Sequence, residues 1–183
     1  MARDLMTVRL DQIPEGGLDV TFGMSDPRFV ELLAEFGQGQ GARTGSGTVN
    51  LELWPRRVDV NGTVSVDLPQ LCVRCLEPFA DHLEHRFEQF LMRSGTEEPD
   101  EAPEVEIELS LRDLDRSMLV GDKVDLAELL REELMLSMPS KPVCKEDCKG
   151  ICAGCGAELN TEPCTCGPKI DPRWDALKGL KFD

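Results

Sequence analysis

Six of the chain's eight cysteines fall within twenty-three positions, from Cys144 to Cys166. They lie in "CKEDCKGICAGCGAELNTEPCTC". Thiols so clustered have four uses open to them: holding a metal, closing disulfides, attacking a substrate or filling a core. The amino terminus, "MARDLMTVRLDQ", is charged early and has no apolar core, so no secretory signal is expected there. No stretch approaches the ~20 apolar residues of a membrane span. A cytoplasmic location is the expectation. Thiols stay reduced there, which favours metal or redox chemistry over a disulfide framework.

Within the cluster, "CAGCG" has the form of a zinc-binding turn. Two thiols stand two apart, and Gly156 can take the positive φ that aims backbone amides at sulfur. A four-thiolate site then needs a second pair. Eight residues separate Cys155 from Cys164, with Cys166 just beyond, which leaves room for the chain to double back through a turn at "AELN". Cys144 and Cys148 lie just upstream and are the alternative. The favoured set is Cys152, Cys155, Cys164 and Cys166, holding zinc in a small knuckle. An iron–sulfur cluster and a redox Cys-x-x-Cys remain open as alternatives.

The other two cysteines are Cys72 and Cys75, in "LCVRCLEPF" at a strand end. No glycine follows the second thiol, so the favoured reading is two reduced cysteines packing a sheet corner. Metal ligation together with thiols from the C-terminal segment, and redox chemistry, are the alternatives. His82 and His85 stand three apart in an extended pattern, hence on opposite faces, and are a poor metal pair. They read as surface residues.

The rest of the chain alternates as strands do. "TVRLDQI" and "LDVTFGM" are short strand candidates. "TVNLELW", "VDVNGTVSVDL" and "EPFADHLEHRFEQF" are longer ones. Asn61-Gly62 could turn a hairpin, but the unbroken parity of Val58, Val60, Val64 and Val66 favours one long strand carrying a bulge. "GQGQGARTGSG" reads as a flexible loop and lacks a phosphate-binding pattern. "SDPRFVELLAEFG" is a helix with Ser25 or Asp26 as cap and Phe29, Leu32, Leu33 and Phe36 on one face. "VDLAELLREELMLSMP" is a second helix, with Asp125 and Glu128 spaced as a capping box and Pro139 as the stop. "SGTEEPDEAPEVE" is an acidic linker, "IELSL" a possible further strand, and "DPRWDALKGLKFD" a closing helix. The resulting fold class is α+β: an antiparallel sheet-rich body over residues 1–139, then a cysteine module over 140–183.

The charge is unevenly placed. Residues 1–139 hold 13 basic and 28 acidic side chains, and so carry the whole net charge of −15; residues 140–183 hold 7 of each. Such a body lacks the basic footprint of a phosphate-neutralising nucleic-acid binder and suits a basic protein partner. Lys169, Arg173, Trp174, Lys178 and Lys181 form the only basic cluster with an aromatic, and are either an RNA contact or a docking helix.

Three motifs in order resemble the YceD-like family, bacterial domains linked to accumulation of large-subunit ribosomal RNA. "LCVRCLEPF" is similar to that family's Cys-x-Arg-Cys-Leu signature. "VDLAELLREELMLSMPSKPVC" resembles its acidic helix and Leu-Pro stop. "CKGICAGCGAELN", "CTC" and "DPRWDALKGL" resemble the C-terminal portion of its cysteine-containing members. The likeness runs from Val58 to Leu180. It implies a non-enzymatic role in ribosome biogenesis, with plastid relatives in plants. It also implies a partner that is a basic ribosomal protein or a large-subunit precursor, since such genes often neighbour that of a small zinc-binding large-subunit ribosomal protein. Some members keep only the mid-chain cysteine pair, which implies a structural role for the C-terminal module. No catalytic residue, small-molecule substrate or membrane is implied. A thiol-redox protein or redox sensor using the Cys-x-x-Cys pairs is the competing reading.

Overall fold

A computed structural model describes residues 6–93, 116–167 and 173. The acidic linker, the strand expected at 107–111 and the closing helix with its basic cluster lie outside the described residues, apart from Arg173. The elements in chain order are β1 (Thr7–Arg9), a 3-10 turn (Leu10–Gln12), β2 (Leu18–Gly23) and α1 (Pro27–Ala34). Next come β3 (Thr44–Leu53), β4 (Arg57–Leu71), β5 (Pro78–Arg93) and β6 (Arg116–Leu119). Last are β7 (Lys123–Asp125) and α2 (Leu126–Ser137). Strands β2-β3-β4-β5-β6 form one sheet in that order, and β1 pairs with β7 in a second, two-stranded sheet. All pairings are antiparallel except β5 with β6, which is parallel.

Strict alternation decides which face of the large sheet is core. In β4 the even positions Val58, Val60, Val64, Val66 and Leu68 are buried, while Asn61 and Asp67 face solvent. The asparagine–glycine step makes neither a hairpin nor a bulge. Register runs unbroken through Val49↔Gly62 on one side and Gly62↔Phe87 on the other. Gly62 is there for space: a Cβ would sit 2.2 Å from the Phe87 ring. The Gly-rich stretch is a loop over residues 37–43, as expected, but its end behaves likewise: β3 already begins at Thr44, and a Cβ on Gly47 would meet the Phe22 ring at 2.5 Å. Glycine opposite phenylalanine lets the ring lie across the neighbouring backbone, so these glycines belong to strands rather than to a loop.

The two helices cover the apolar face. Asp26 caps α1 by accepting from the N–H of Arg28 and Phe29, and Phe29, Leu32 and Leu33 are buried. Asp125 caps α2 through the N–H groups of Ala127 and Glu128. The Glu128 carboxylate does not complete a capping box; it pairs with Arg131. Arg131 in turn reaches Glu35 at 2.7 Å, joining α2 to the end of α1. α2 packs on β5, where His85 lies 2.8 Å from the buried Glu133. His85 is therefore half-buried beneath the helix, not a surface residue, because its odd position points to the core face. His82 points the other way and pairs with Asp67 at 2.8 Å in solvent.

Candidate metal centres

The eight thiols gather into two sets of four. Cys72, Cys75, Cys144 and Cys148 form a proximal set beside the sheet, and Cys152, Cys155, Cys164 and Cys166 a distal one. In each set all sulfurs lie within 4.8 Å of one another. All eight are free thiols. A metal held by four sulfurs at about 2.3 Å requires sulfur–sulfur edges of about 3.8 Å in a regular tetrahedron. The proximal set has Cys72–Cys148 and Cys75–Cys144 both at 3.8 Å. The distal set has Cys155–Cys164 at 3.6 Å and Cys152–Cys164 at 3.2 Å. Either set of four could hold a metal ion.

Both Cys-x-x-Cys turns are built the same way. The turn between β4 and β5 bonds Leu76 N–H to Cys72 O at 2.8 Å and Cys72 N–H to Glu77 O at 3.0 Å. The later turn bonds Gly156 N–H to Cys152 O at 2.9 Å and Cys152 N–H to Ala157 O at 2.8 Å. Each puts the residue after its second cysteine in the left-handed region, Leu76 at φ 62° and Gly156 at φ 78°. Cys72 and Cys75 are packed at the sheet corner in a buried cluster with Cys148, and their turn has the same backbone form as the later one, with leucine where that one has glycine. Leu76 is exposed and strained.

The partner thiols of the proximal set come from the turn after α2. Arg74, between the two cysteines, donates to Glu146 O at 2.9 Å and Cys148 O at 3.0 Å. Its own carbonyl accepts from Ile151 N–H at 3.0 Å. Gly150, at φ 72°, fits against that carbonyl where a Cβ would approach to 2.8 Å. Asn160 lies in the turn between the distal ligands. It donates Nδ2–H to Cys148 Sγ at 3.4 Å and accepts from Lys149 N–H at 3.0 Å. Sequence reasoning assigned neither Arg74 nor Asn160 a place at a site. The one usable signal was arithmetic: eight cysteines make two sets of four.

Close packing of thiols splits their acidities. Burial raises the Cys72 thiol, but backbone N–H groups of Cys144, Cys75 and Arg74 outweigh it and lower the value to about 6. Burial and neighbouring thiols push Cys144 up to about 12. In the distal set the N–H of Cys155, the Cys164 thiol and the N–H of Gly154 lower Cys152 to about 6, while hydrogen bonds with Cys155 and Cys164 push Cys166 up to about 12. Several thiolates in one small volume repel each other, so their full ionisation calls for a cation among them.

The described chain is thus a sheet-rich α+β protein with two helices and two four-thiol clusters, one within its C-terminal segment and one shared between that segment and the β4–β5 turn. A family model described as large ribosomal RNA subunit accumulation protein YceD matches residues 60–181, and the chain belongs to that family. It is 32% identical over 120 residues to an uncharacterised protein of Mycobacterium tuberculosis, covering 64% of this chain and 53% of that one. A Mycobacterium leprae protein is 30% identical over 138 residues, 72% and 58% of the two chains. The large ribosomal RNA subunit accumulation protein YCED homolog 1, chloroplastic, of Zea mays is 25% identical over 143 residues, 68% and 49%. The chain spans about half the length of these curated relatives. No solved structure matches. Among the described residues, no helix is long and apolar enough to cross a membrane.

Proposed function

We propose that this chain is a non-enzymatic factor supporting large-subunit ribosomal RNA accumulation, and that it acts by binding a basic ribosomal protein or a pre-ribosomal particle. Family membership supports the process. The observation that carries the mode of action is the outer face of the sheet. Cross-strand rows there run Asp19–Asn50–Asn61–Glu88 and Thr21–Thr48–Thr63–Arg86. Their side chains reach solvent, and Glu84 and Asp67 add charge beyond them. A polar, hydrogen-bonding, net-acidic sheet face suits Lys- and Arg-rich polypeptide better than phosphate. Zinc is the metal that best suits four thiolates: it is redox-silent, tetrahedral and, with four protein ligands, closed to substrate. The reading therefore assigns the thiols a structural task.

The test is co-sedimentation of the full chain with large-subunit precursors, followed by identification of what is bound. Reversing Asp19, Glu84 and Glu88 to lysine should abolish association and leave the melting temperature nearly unchanged. Undiminished association after the reversal would rule out this face. One observation favours a second reading, a thiol-redox protein: Cys72 and Cys152 have depressed pKa values of about 6. Metal ligands need the same property. Thiol titration with and without a chelator separates the two, because metal-held thiols react only as the ion is withdrawn. Rapid reaction in metal-free, folded protein would favour redox chemistry.

A further inference from the structure

The two thiol sets differ in access to solvent. In the proximal set Cys72, Cys75 and Cys148 are 0%, 4% and 5% exposed. In the distal set Cys155 and Cys166 are exposed and the other two half-exposed. A chelator can reach the distal sulfurs directly. The proximal sulfurs are approached through a cleft of about 510 Å³ lined by Cys75, Glu77, Cys144, Lys145, Glu158 and Asn160. Glu158 and Asn160 belong to the turn between distal ligands Cys155 and Cys164. That turn is tied back by the bridge Ile151↔Glu158 and by Leu159 N–H on Gly150 O at 2.9 Å. Asn160 ends the path with its N–H on the Cys148 sulfur. One side of the cleft, formed by Glu158, Asn160 and Thr161, thus belongs to the chain segment that the distal ligands Cys155 and Cys164 bracket.

We propose that the two sets hold two zinc ions of unequal lability, the distal ion exchanging with solution and the proximal ion retained behind the turn that the distal site orders. This rests on the zinc reading above and adds a hierarchy to it. Loss of the distal ion frees residues 157–161, withdraws the Asn160 hydrogen bond from Cys148 and opens the cleft. The proximal ion then leaves faster. Outer hydrogen bonds of this kind typically alter metal affinity by about 10–100-fold.

The experiment uses the purified full chain, elemental analysis and release into the chromogenic chelator 4-(2-pyridylazo)resorcinol. Two equivalents of zinc should leave in two phases of one equivalent each. Cys155→Ser with Cys166→Ser should delete the fast equivalent and speed release of the remaining one by roughly 10-fold. Asn160→Ala should keep both equivalents, leave the fast phase unchanged and speed the slow phase by roughly the same factor. Release of both ions in a single phase in the native chain would overturn the inequality. A slow phase indifferent to both variants would overturn the dependence on the distal turn. Absence of zinc, or iron in its place, is a separate result and defeats the zinc reading itself.

Discussion

The two Cys-x-x-Cys turns share a backbone and differ in nearly everything around it. The turn at Cys72 is continuous with two long strands, β4 of fifteen residues and β5 of sixteen, which already fix its ends. It can therefore hold Leu76 at φ 62° against its preference. The turn at Cys152 has no such frame. It is supported by one isolated bridge, a few backbone bonds and its own thiols, and it uses Gly156 where strain would be unaffordable. The contrast teaches that a Cys-x-x-Cys turn of this form needs a left-handed residue, not necessarily a glycine, once the flanking sheet supplies rigidity.

The largest expected effect separates the two centres. Cys72→Ser should lose one metal equivalent and lower the melting temperature by roughly 10 °C or more, because a structural ion contributes folding free energy directly. Cys155→Ser should lose one equivalent with little change in melting of the sheet body. Equal falls in the two variants would break the distinction. Next is Arg74→Ala, which removes the bonds to Glu146 O and Cys148 O; it should cost about 1.5 kcal/mol in urea unfolding of the metal-loaded chain. No cost would mean the proximal turn holds without that tie.

Asp125→Ala probes the body alone and should cost about 1 kcal/mol through loss of the α2 cap, with metal content unchanged. Its acid dependence has a definite sign. Burial raises the Asp125 carboxyl, but bonds from Arg28, Glu128 N–H and Ala127 N–H outweigh it and hold the value below the usual range. Glu35 beside Arg131 and Asp67 beside His82 are depressed too. Their stabilisation is fully present above the ordinary carboxylate range and is lost as pH falls through the depressed values. Asp125→Ala should accordingly show a shallower loss of stability on acidification; an unchanged slope would count against this assignment. The smallest effect is the sharpest test of the shared backbone. Leu76→Gly relieves left-handed strain against the extra freedom of glycine, for a net gain of about 0.5 kcal/mol, and Gly156→Leu should shift stability the other way. Shifts of the same sign would show that the two turns are not equivalent.

Much of the body was legible because its signals are local. Alternation through Val58–Leu68, the Asp26-Pro27 start of α1 and the Asp125 cap of α2 each depend on neighbours a few residues away. The misreadings came where a distant residue decides. The single long strand through Asn61-Gly62 holds, but the bulge expected there is absent because glycine makes room for the Phe87 ring, and His85 looks exposed until α2 covers it.

The cysteines divide along the same line. Sequence alone determined that six thiols crowd residues 144–166, that "CAGCG" has the form of a metal knuckle, and that the acidic charge belongs to the body. Only the tertiary structure decided which thiols meet. Cys72 and Cys148 are seventy-six residues apart in the chain and 3.8 Å apart in the fold. Spacing rules reach only as far as a turn can close. Bringing a strand end to the turn after α2 is the work of the packed sheet and helices, whose burial energy comes from the whole body.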